Sequence, residues 1–322
     1  MQTKCHRRRG GALLAVLWLS AALSAIAYSL ANTVRGEVER TSTAVDGVRT
    51  YYLARAGVER GILYMQWKDQ IPAGSPLKYG PGNPVLRFPF PSGQAWVEVV
   101  PETAKLNINT ATPLDLMRLL TAMGVAPVRA EQIVLAIVDW RSPAGVTPFD
   151  AFYQSLTPSF RSRHASFEET EELLLVRGMT PELYYGGYDH DATGRLVPRA
   201  GLRDCVAVFG STGGIDVNTA QPAVLVAIGF SPQAAVAIVA RRSAQPFQNP
   251  GEVSAFLGGS PASARLRVGG NVIFTFRSTG RIQLPNGQLS DLRRTVAATV
   301  IFRPEEEITL QTLRWYDNAW TP

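Results

Sequence analysis

Side chains that could carry chemistry are few and scattered in this 322-residue sequence. It contains three histidines, and only His190 stands between two acids, Asp189 and Asp191. Such a run could touch a metal, but most runs of this kind are solvated loops. The glycine-rich stretch 209–214 matches neither a nucleophile elbow nor a phosphate-binding loop. No carboxylate pair is spaced for acid–base work, so the sequence predicts no enzyme, no catalytic residues and no metal ligands.

The positive charge is concentrated at the N-terminus. The formal charge is +6, and four of the 32 Lys and Arg residues, Lys4 and the arginines at 7–9, lie in the first ten positions, which leaves 28 against 26 acidic residues. A nearly neutral body argues against a polyanionic partner, because nucleic-acid binding needs a basic surface. Two cysteines, Cys5 and Cys205, exclude a disulfide framework.

A long apolar stretch follows the arginines. Residues 10–34 contain 25 positions without a formal charge, and about 20 apolar residues suffice to cross a bilayer. Basic residues before it predict a cytoplasmic N-terminus, with the bulk of the chain on the other side of the membrane. A cleavable secretory signal is the alternative, but its possible cleavage site at 24–27 lies too early, because the apolar run continues past it.

The region after the apolar stretch has the pattern of a helix. No proline occurs in 35–67, which predicts one unbroken helix from the apolar stretch to about residue 67. We expect its second half to pack on a soluble domain. Apolar residues there recur at spacings of seven, three and four, which place them on one helical face: Val38, Val45, Val48 and Tyr52.

Strands are predicted on both sides of a helical block. Two lie near 85–90 and 95–100, around a short turn, and the others follow the block at 272–276, 281–284, 295–303 and 309–316. Strands, then about 160 helical residues, then strands again indicate a helical insertion into one antiparallel sheet.

The helical block contains one unit twice. The pattern N-T-A-x-P-x-x-L begins at Asn109 and again at Asn218, and each copy continues into a second apolar helix, 129–140 and 232–242. The order Asn, Thr, then Pro predicts that Asn109/Thr110 and Asn218/Thr219 are helix N-caps.

These units resemble helix-hairpin-helix or SAM-like modules, here 105–142 and 215–257. Hairpins of that type often bind DNA through a Gly-x-Gly turn. The turns at 122–127 and 227–232 have one glycine each and no following lysine. The phosphate-binding turn is therefore incomplete, and nucleic acid is not a favoured partner. A DNA-binding component of a competence or type IV pilus system stays as the alternative function.

The N-terminal layout resembles that of type IV pilins and of the pseudopilins of type II secretion. Residues 9–14 look like the processing site of the minor pseudopilin K family, and 51–59 (YYLARAGVE) is similar to that family's "YLARAGVE" run. The resemblance implies that a prepilin peptidase cuts after Gly10 and methylates the new amine of Gly11. Most pilins carry glutamate at the fifth mature position, which is Ala15 here.

The missing glutamate can be interpreted in two ways. In assembled pilins this carboxylate is thought to pair with the N-terminal amine of a neighbouring subunit, and the K family shares its absence. The resemblance then implies that no subunit sits above this one, which places it at the tip. Taken alone, Ala15 is equally compatible with one more apolar residue of a membrane anchor.

The resemblance implies an α+β fold, in which a pilin-like long N-terminal helix packs on a small antiparallel sheet with a large all-helical insertion. The implied function is that of a non-enzymatic minor pseudopilin at the pseudopilus tip, which supports export of folded proteins across the outer membrane. The implied location is the bacterial inner membrane, with the bulk of the chain in the periplasm. The implied partners are minor pseudopilins I and J and the prepilin peptidase. The implied parts are a leader at 1–10, the helix at 11–67, a β body at 68–104 and 268–322, and the insertion at 105–267.

Relatives in that family carry a calcium-binding acidic run that resembles D-W-x-D-x-D. Here Asp139 and Trp140 are kept, but Ser142 and Ala144 replace the next two acids. Asp139 and Asp150 alone supply too few of the six to eight oxygens that calcium takes, so calcium binding is expected to be weak or absent and no cofactor is predicted. A membrane-anchored hydrolase is a second alternative, and the scarcity of histidine speaks against it.

Overall fold

The structure, a computed structural model, describes residues 11–67, 70–71, 85–143, 147–191, 193–211, 213–269, 272–303 and 310–319. Its α-helices are α1 Gly11–Gln66, α2 Pro113–Ala122, α3 Pro127–Arg141, α4 Pro148–Gln154, α5 Pro181–Tyr185, α6 Pro222–Ala227, α7 Pro232–Ala244 and α8 Pro250–Phe256. Every described α-helix after α1 begins with proline, whose fixed φ suits the first helical turn and whose missing N–H has no partner there.

The strands form one main sheet and three short ladders. They are β1 Val85–Phe90, β2 Gly93–Pro101, β3 Leu106–Asn107, β4 Gly187–His190, β5 Leu196–Arg199, β6 Val206–Ala207, β7 Ile215–Asp216, β8 Leu266–Arg267, β9 Ile273–Gln283, β10 Leu289–Phe302 and β11 Leu310–Tyr316. The main sheet is antiparallel, with the order β1-β2-β9-β10-β11. The chain therefore leaves the sheet after β2 and returns to it at β9, as the sequence predicted.

Helix α1 packs its last turns on this sheet. Its buried residues begin at Thr50 and are mostly small or apolar: Thr50, Leu53, Ala54, Gly57, Val58, Gly61, Ile62 and Met65. A Cβ at Gly57 would lie 2.3 Å from Oγ of Ser278 and 2.7 Å from Cβ of Ala95. Glycine is thus required at position 57, because the helix lies almost in contact with the strands.

One strand prediction is wrong. The sequence predicted separate strands at 272–276 and 281–284. The structure has a single strand β9, Ile273–Gln283, through this stretch. The small residue at 280 serves the helix contact, since a Cβ there would lie 2.5 Å from the carbonyl oxygen of Thr50.

The expectation of an all-helical insertion is also wrong. Strands β4 and β5 form an antiparallel hairpin, and two parallel ladders of two residues each lie within the insertion. In the ladders Leu106 pairs with Val206, and Ile215 pairs with Leu266. Each ladder joins the entry of a repeated unit to a segment after its helices. Buried backbone groups at those ends gain hydrogen-bond partners in this way.

Two separate clusters of buried apolar side chains hold the molecule together. One lies between α1 and the main sheet and includes Val58, Val97 and Phe276. The other fills the helical insertion, and its buried members run from Leu106 to Leu266. The α+β fold predicted from the sequence is confirmed, whereas the proposed domain boundaries stay a prediction.

Gly57→Ala tests the close approach of helix and sheet. The added methyl group meets Ala95 and Ser278, so we expect the free energy of unfolding to fall by about 1–3 kcal/mol. Gly47→Ala is the matched control, because nothing lies within 4 Å of its added Cβ. There the better helix propensity of alanine should raise stability by up to about 1 kcal/mol.

Urea unfolding in detergent, followed by tryptophan fluorescence, measures both variants. Equal effects of the two substitutions would contradict the packing of α1 described above.

Candidate functional site

The first part of α1 is an exposed apolar rod. It is long and apolar enough to cross a membrane by length and composition, with a mean hydropathy of 2.0 in its most apolar window. None of that window is covered by the described part of the chain. Gly11 is the first residue of α1 and Ala15 lies exposed in its second turn, whereas Gly10 lies outside the described residues. The predicted cleavage between Gly10 and Gly11 stays a prediction.

The second half of α1 packs on the sheet as predicted, but the apolar face formed by the residues at spacings of seven, three and four stays largely exposed. Its members are 44 to 62% exposed and form what we call the exposed stripe: Val38, Val45, Val48 and Tyr52. At about 100° per residue these positions lie on the side of α1 opposite Ala54, Gly57 and Gly61. The helix therefore has two apolar faces, and the sheet covers only one of them.

In each N-T-A unit the asparagine side chain binds the backbone of a distant loop and does not cap a helix. The Asn109 side chain donates to the Phe167 carbonyl at 3.0 Å and accepts the Phe167 N–H at 2.8 Å. Asn218 makes the same two bonds with Phe247, both at 2.9 Å. Since a side-chain amide offers a donor and an acceptor together, it can pair with a backbone as a strand does.

The predicted caps are therefore wrong. Helix α2 is capped by Thr112, whose Oγ1 accepts the Asp115 N–H at 3.1 Å, and α6 begins after Gln221 without a side-chain cap. Each helix begins at the proline of the motif, Pro113 or Pro222. Asn109 and Asn218 lie too far before that proline to cap the helix. Thr110 and Thr219 also lie before the cap positions.

A second pair of equivalent residues was not found from the sequence. Arg141 donates to the carbonyls of Ile108 and Ala111 at 2.5 and 2.7 Å. Arg242 donates to the carbonyl of Val217 at 2.7 Å. Arg141 is the last residue of α3 and Arg242 lies in the last turn of α7. Each binds the segment that precedes the first helix of its unit, and an arginine near the end of both second helices was the signal available. Burial lowers the pKa of both guanidinium groups.

The hairpin turns do not present a phosphate cradle. Gly124 and Gly229 adopt φ values of +86° and +115°. Their N–H groups donate to the carbonyls of Thr121 and Val226, each at 3.0 Å. Val128, which is 71% exposed, follows the first turn where a phosphate-binding hairpin would place a cation. These amides are used within their own hairpins, so no observation favours the DNA-binding alternative.

The region expected to hold calcium in relatives contains an acid–imidazole pair. Nε2 of His164 lies 3.1 Å from Oδ2 of Asp150, and Nδ1 lies 3.3 Å from the carbonyl oxygen of Asp139. Oδ2 of Asp150 also accepts the Thr147 N–H at 2.8 Å. Ala144 lies outside the described residues.

Few carboxylate oxygens in this region are left for a calcium ion. The carboxylate of Asp150 is already engaged by a backbone N–H and by the imidazole of His164. Within the part of the chain that is described, no three His, Cys, Asp or Glu residues are placed to hold a metal. The expectation that calcium binds weakly or not at all stays a prediction.

The electrostatics of the pair are set by its two partners. Burial disfavours the charged imidazole, but the hydrogen bond and the charge of Asp150 outweigh burial and raise the pKa of His164. The Thr147 N–H and then the His164 contacts hold the pKa of Asp150 below its usual value, against a contribution from burial. A ring that faces an acceptor at each nitrogen is fully paired only when both nitrogens carry protons.

The other candidate reactive groups are buried, exposed to solvent or bonded within their own loop. Burial raises the pKa of Cys205 to about 12, so its thiol stays protonated and inert. Asp189 and His190 lie exposed on strand β4, where Asp189 pairs with Arg199 at 3.6 Å. The hydroxyl of Ser211 in the glycine-rich loop donates to the Gly214 carbonyl at 2.8 Å.

The fold and the exposed rod together define a class of protein. A long N-terminal helix, apolar and uncovered in its first half and packed on a small antiparallel sheet in its second, is a pilin-like architecture with a candidate membrane anchor. A chain in the crystal structure of the GspK-GspI-GspJ complex from the enterotoxigenic Escherichia coli type 2 secretion system is similar in structure. The match has a TM-score of 0.56 at 17% identity and covers 89% of this chain and 99% of that chain.

Sequence comparison narrows the class to a family. Two models, both described as type II secretion system (T2SS) protein K, match residues 100–186 and 215–269. Type II secretion system protein K of Klebsiella pneumoniae is 27% identical over 236 residues, which cover 67% of this chain and 68% of the relative. The Aeromonas hydrophila protein K is 26% identical over 205 residues, with 56% and 62% covered. Together these matches support assignment of the chain to the type II secretion system protein K family.

His164→Gln should remove a pH-dependent part of the stability. Because the folded-state pKa of His164 is raised, its charged pair with Asp150 stabilises the fold fully below the unfolded value of about 6.5. This contribution is lost as the pH rises through the higher folded-state pKa. The gap in unfolding free energy between wild type and variant should therefore be largest near pH 6 and shrink toward pH 8.

The matched control is His190→Gln, which removes an exposed imidazole from strand β4. Urea unfolding at several pH values measures all three proteins. A His164→Gln gap that stays constant across this pH range would contradict the charged pair.

Proposed function

We propose that this protein is a non-enzymatic minor pseudopilin that assembles with other pseudopilins in a type II secretion system and supports export of folded proteins. The observation that carries the proposal is the continuous apolar surface of α1, from its membrane-length rod through the exposed stripe. Full burial of one such side chain contributes about 1.5–3 kcal/mol. An uncovered stripe aligned with a membrane helix is the surface that a bundle of neighbouring helices would bury.

The anchor gives the protein its orientation in this proposal. The arginines at 7–9 keep the N-terminus in the cytoplasm, and α1 crosses the bacterial inner membrane once. The sheet and the helical insertion then lie in the periplasm. Before assembly, a prepilin peptidase cuts between Gly10 and Gly11 and methylates the amine of Gly11, as the resemblance of this site to pseudopilin leaders implies.

Ala15 supports a position at the tip of the pseudopilus. A carboxylate inside a lipid-facing helix is costly unless it is paired, and a neighbour's N-terminal amine can provide that pairing. A subunit with alanine at this position has no carboxylate to offer the amine of a further subunit. The protein therefore ends the assembly and does not extend it.

Minor pseudopilins I and J are the proposed partners in the assembly. The structurally similar chain comes from a complex that contains GspK, GspI and GspJ. The exposed stripe provides a surface on which such helices could pack. The absence of an activated nucleophile among the described residues and the inert Cys205 favour a structural role over an enzymatic one.

The mature N-terminus tests the processing proposal. In cells that contain the prepilin peptidase, the intact mass of the purified protein should correspond to a chain that starts at methylated Gly11. The reason is that the peptidase recognises the basic leader and the glycine that precedes the apolar rod. A mass that starts near residue 28 would indicate conventional signal cleavage, and a mass with all ten leader residues would show that no processing occurs.

Val48→Asp tests the exposed stripe. A carboxylate in the middle of the stripe would be buried in the assembled bundle, so we expect recovery of co-expressed minor pseudopilins I and J to fall at least about 10-fold. Thr43→Asp is the matched control, because it adds the same charge on the other side of the same helix segment and should leave recovery unchanged.

Quantitative pull-down from a detergent extract measures this loss, and near-UV circular dichroism checks that both variants keep the fold. Equal recovery with the two variants would remove the stripe from the assembly surface.

A further inference from the structure

The apolar face that carries the exposed stripe continues beyond Tyr52. Glu59 follows Tyr52 by seven positions and Leu63 follows Glu59 by four, and residues at these spacings lie on the same face of a helix. Tyr52 is 58% exposed and Leu63 is 46% exposed, so uncovered apolar side chains lie before and after Glu59 along α1. A single carboxylate therefore interrupts an apolar face that the sheet leaves open.

Glu59 is exposed, and the two basic residues nearest to it along α1 are both turned to aromatic rings. The guanidinium of Arg55 lies 5.6 Å from the centre of the Trp315 ring. The guanidinium of Arg60 lies 5.1 Å from the centre of the Phe88 ring. Such cation–π contacts hold a guanidinium over its ring. In the part of the chain that the structure describes, the Glu59 carboxylate forms no ion pair and accepts no hydrogen bond.

Two acids lower in α1 are neutralised within the helix. Glu37 and Asp46 are each followed three positions later by an arginine, with which they pair at 3.0 and 3.5 Å. Three and four positions after Glu59 the helix has Ile62 and Leu63. Side chains on a helix meet when they are three or four positions apart. The turn that follows Glu59 therefore supplies no cation to it.

Assembly through the stripe would take Glu59 out of water together with its apolar neighbours. A carboxylate removed from water is costly unless a cation pairs with it. Since Arg55 and Arg60 are held by aromatic rings, that cation has to come from outside the chain. We propose that Glu59 pairs with an arginine or lysine on the helix of the neighbouring pseudopilin that covers the stripe. This pairing rests on the function proposed above, because it requires a buried stripe.

The occupant is a helix because the stripe continues the membrane-length rod of α1. A neighbour anchored in the same membrane runs alongside the rod and reaches the stripe in the same direction. Apolar contact alone sets its height poorly, because the hydrophobic effect has no direction. A charge pair sets the height sharply, since a shift by one helical turn, about 5.4 Å, leaves both charges buried without a partner. Glu59 is therefore a specificity-determining residue, as single polar residues are in coiled-coil seams.

Replacing Glu59 by methionine tests the pairing through the sign of the effect. Glu59→Met removes the charge and keeps the side-chain length and a good helix propensity. It leaves the neighbour's cation buried without an acid, so recovery of co-expressed minor pseudopilins I and J should fall at least about 10-fold. Higher recovery would mean that the carboxylate was buried unpaired, and unchanged recovery would mean that this level of α1 is not buried. Either result would overturn the proposal.

Glu39→Met is the matched control. Glu39 is an exposed acid of the same helix and forms no ion pair among the described residues, but it lies about 120° from Val45 around the helix axis. Its substitution should leave recovery unchanged in the same pull-down from a detergent extract. A loss equal to that of Glu59→Met would show that position 59 has no special role. Near-UV circular dichroism checks that both variants keep the fold.

Charge exchange identifies the residue on the neighbour. Glu59→Arg should lower recovery at least as much as Glu59→Met, because it places two cations together. Each Arg and Lys of the neighbour's helix is then changed to Glu, one at a time, in the presence of Glu59→Arg. One of these changes should restore recovery to within about 3-fold of the wild type. If none restores it in either partner, Glu59 does not bind a cation on a neighbouring helix, and the proposal fails.

Val48→Asp keeps this proposal apart from the one on which it rests. If Val48→Asp lowers recovery and Glu59→Met does not, the stripe is an assembly surface and the pairing of Glu59 is wrong. If neither variant lowers recovery, the stripe is not covered in the assembly and both proposals fail.

Discussion

The close contact between helix α1 and the main sheet is the constraint on which the rest of the structure depends. Gly57 and Gly61 of the helix face the strands, and Gly280 of β9 faces the helix, so that backbone nearly touches backbone. The contact begins only at Thr50, and everything before it in α1 stays outside the body. One short helix–sheet contact therefore connects the apolar rod and the exposed stripe to the sheet and, through the sheet, to the helical insertion.

The helical insertion is held by long-range polar contacts as well as by its apolar core. In each repeated unit an asparagine pairs with the backbone of a phenylalanine and an arginine binds the segment before the first helix. The copies differ in spacing, since Phe167 follows Arg141 by 26 positions and Phe247 follows Arg242 by five. The same contacts thus survive a large difference in loop length, which indicates that they define the unit. Buried polar groups need such partners, and losing one leaves the other unsatisfied.

Particular residues show how far local patterns reach. The helix over 11–67, the strand at 85–90 and the second helices of both units follow from proline positions and apolar spacing, and the structure confirms them. The caps at Asn109 and Asn218 are wrong because both side chains bind loops 58 and 29 residues away. The break between the strands predicted at 272–276 and 281–284 is wrong, because β9 continues through Gly280, which packs directly against α1. In each of these cases a contact with a distant segment, and not the local sequence pattern, determined the structure.

The sequence by itself determined the membrane-length apolar rod, the repeated unit, the return of the chain to one sheet and the alanine at position 15. These features depend on composition and on residues close in the chain, where periodicity and proline act locally. Only the tertiary structure decided which face of α1 remains exposed and that Asn109 and Asn218 pair with the backbone of distant phenylalanines. Periodicity defines the faces of a helix, but the neighbours that cover a face come from distant parts of the chain.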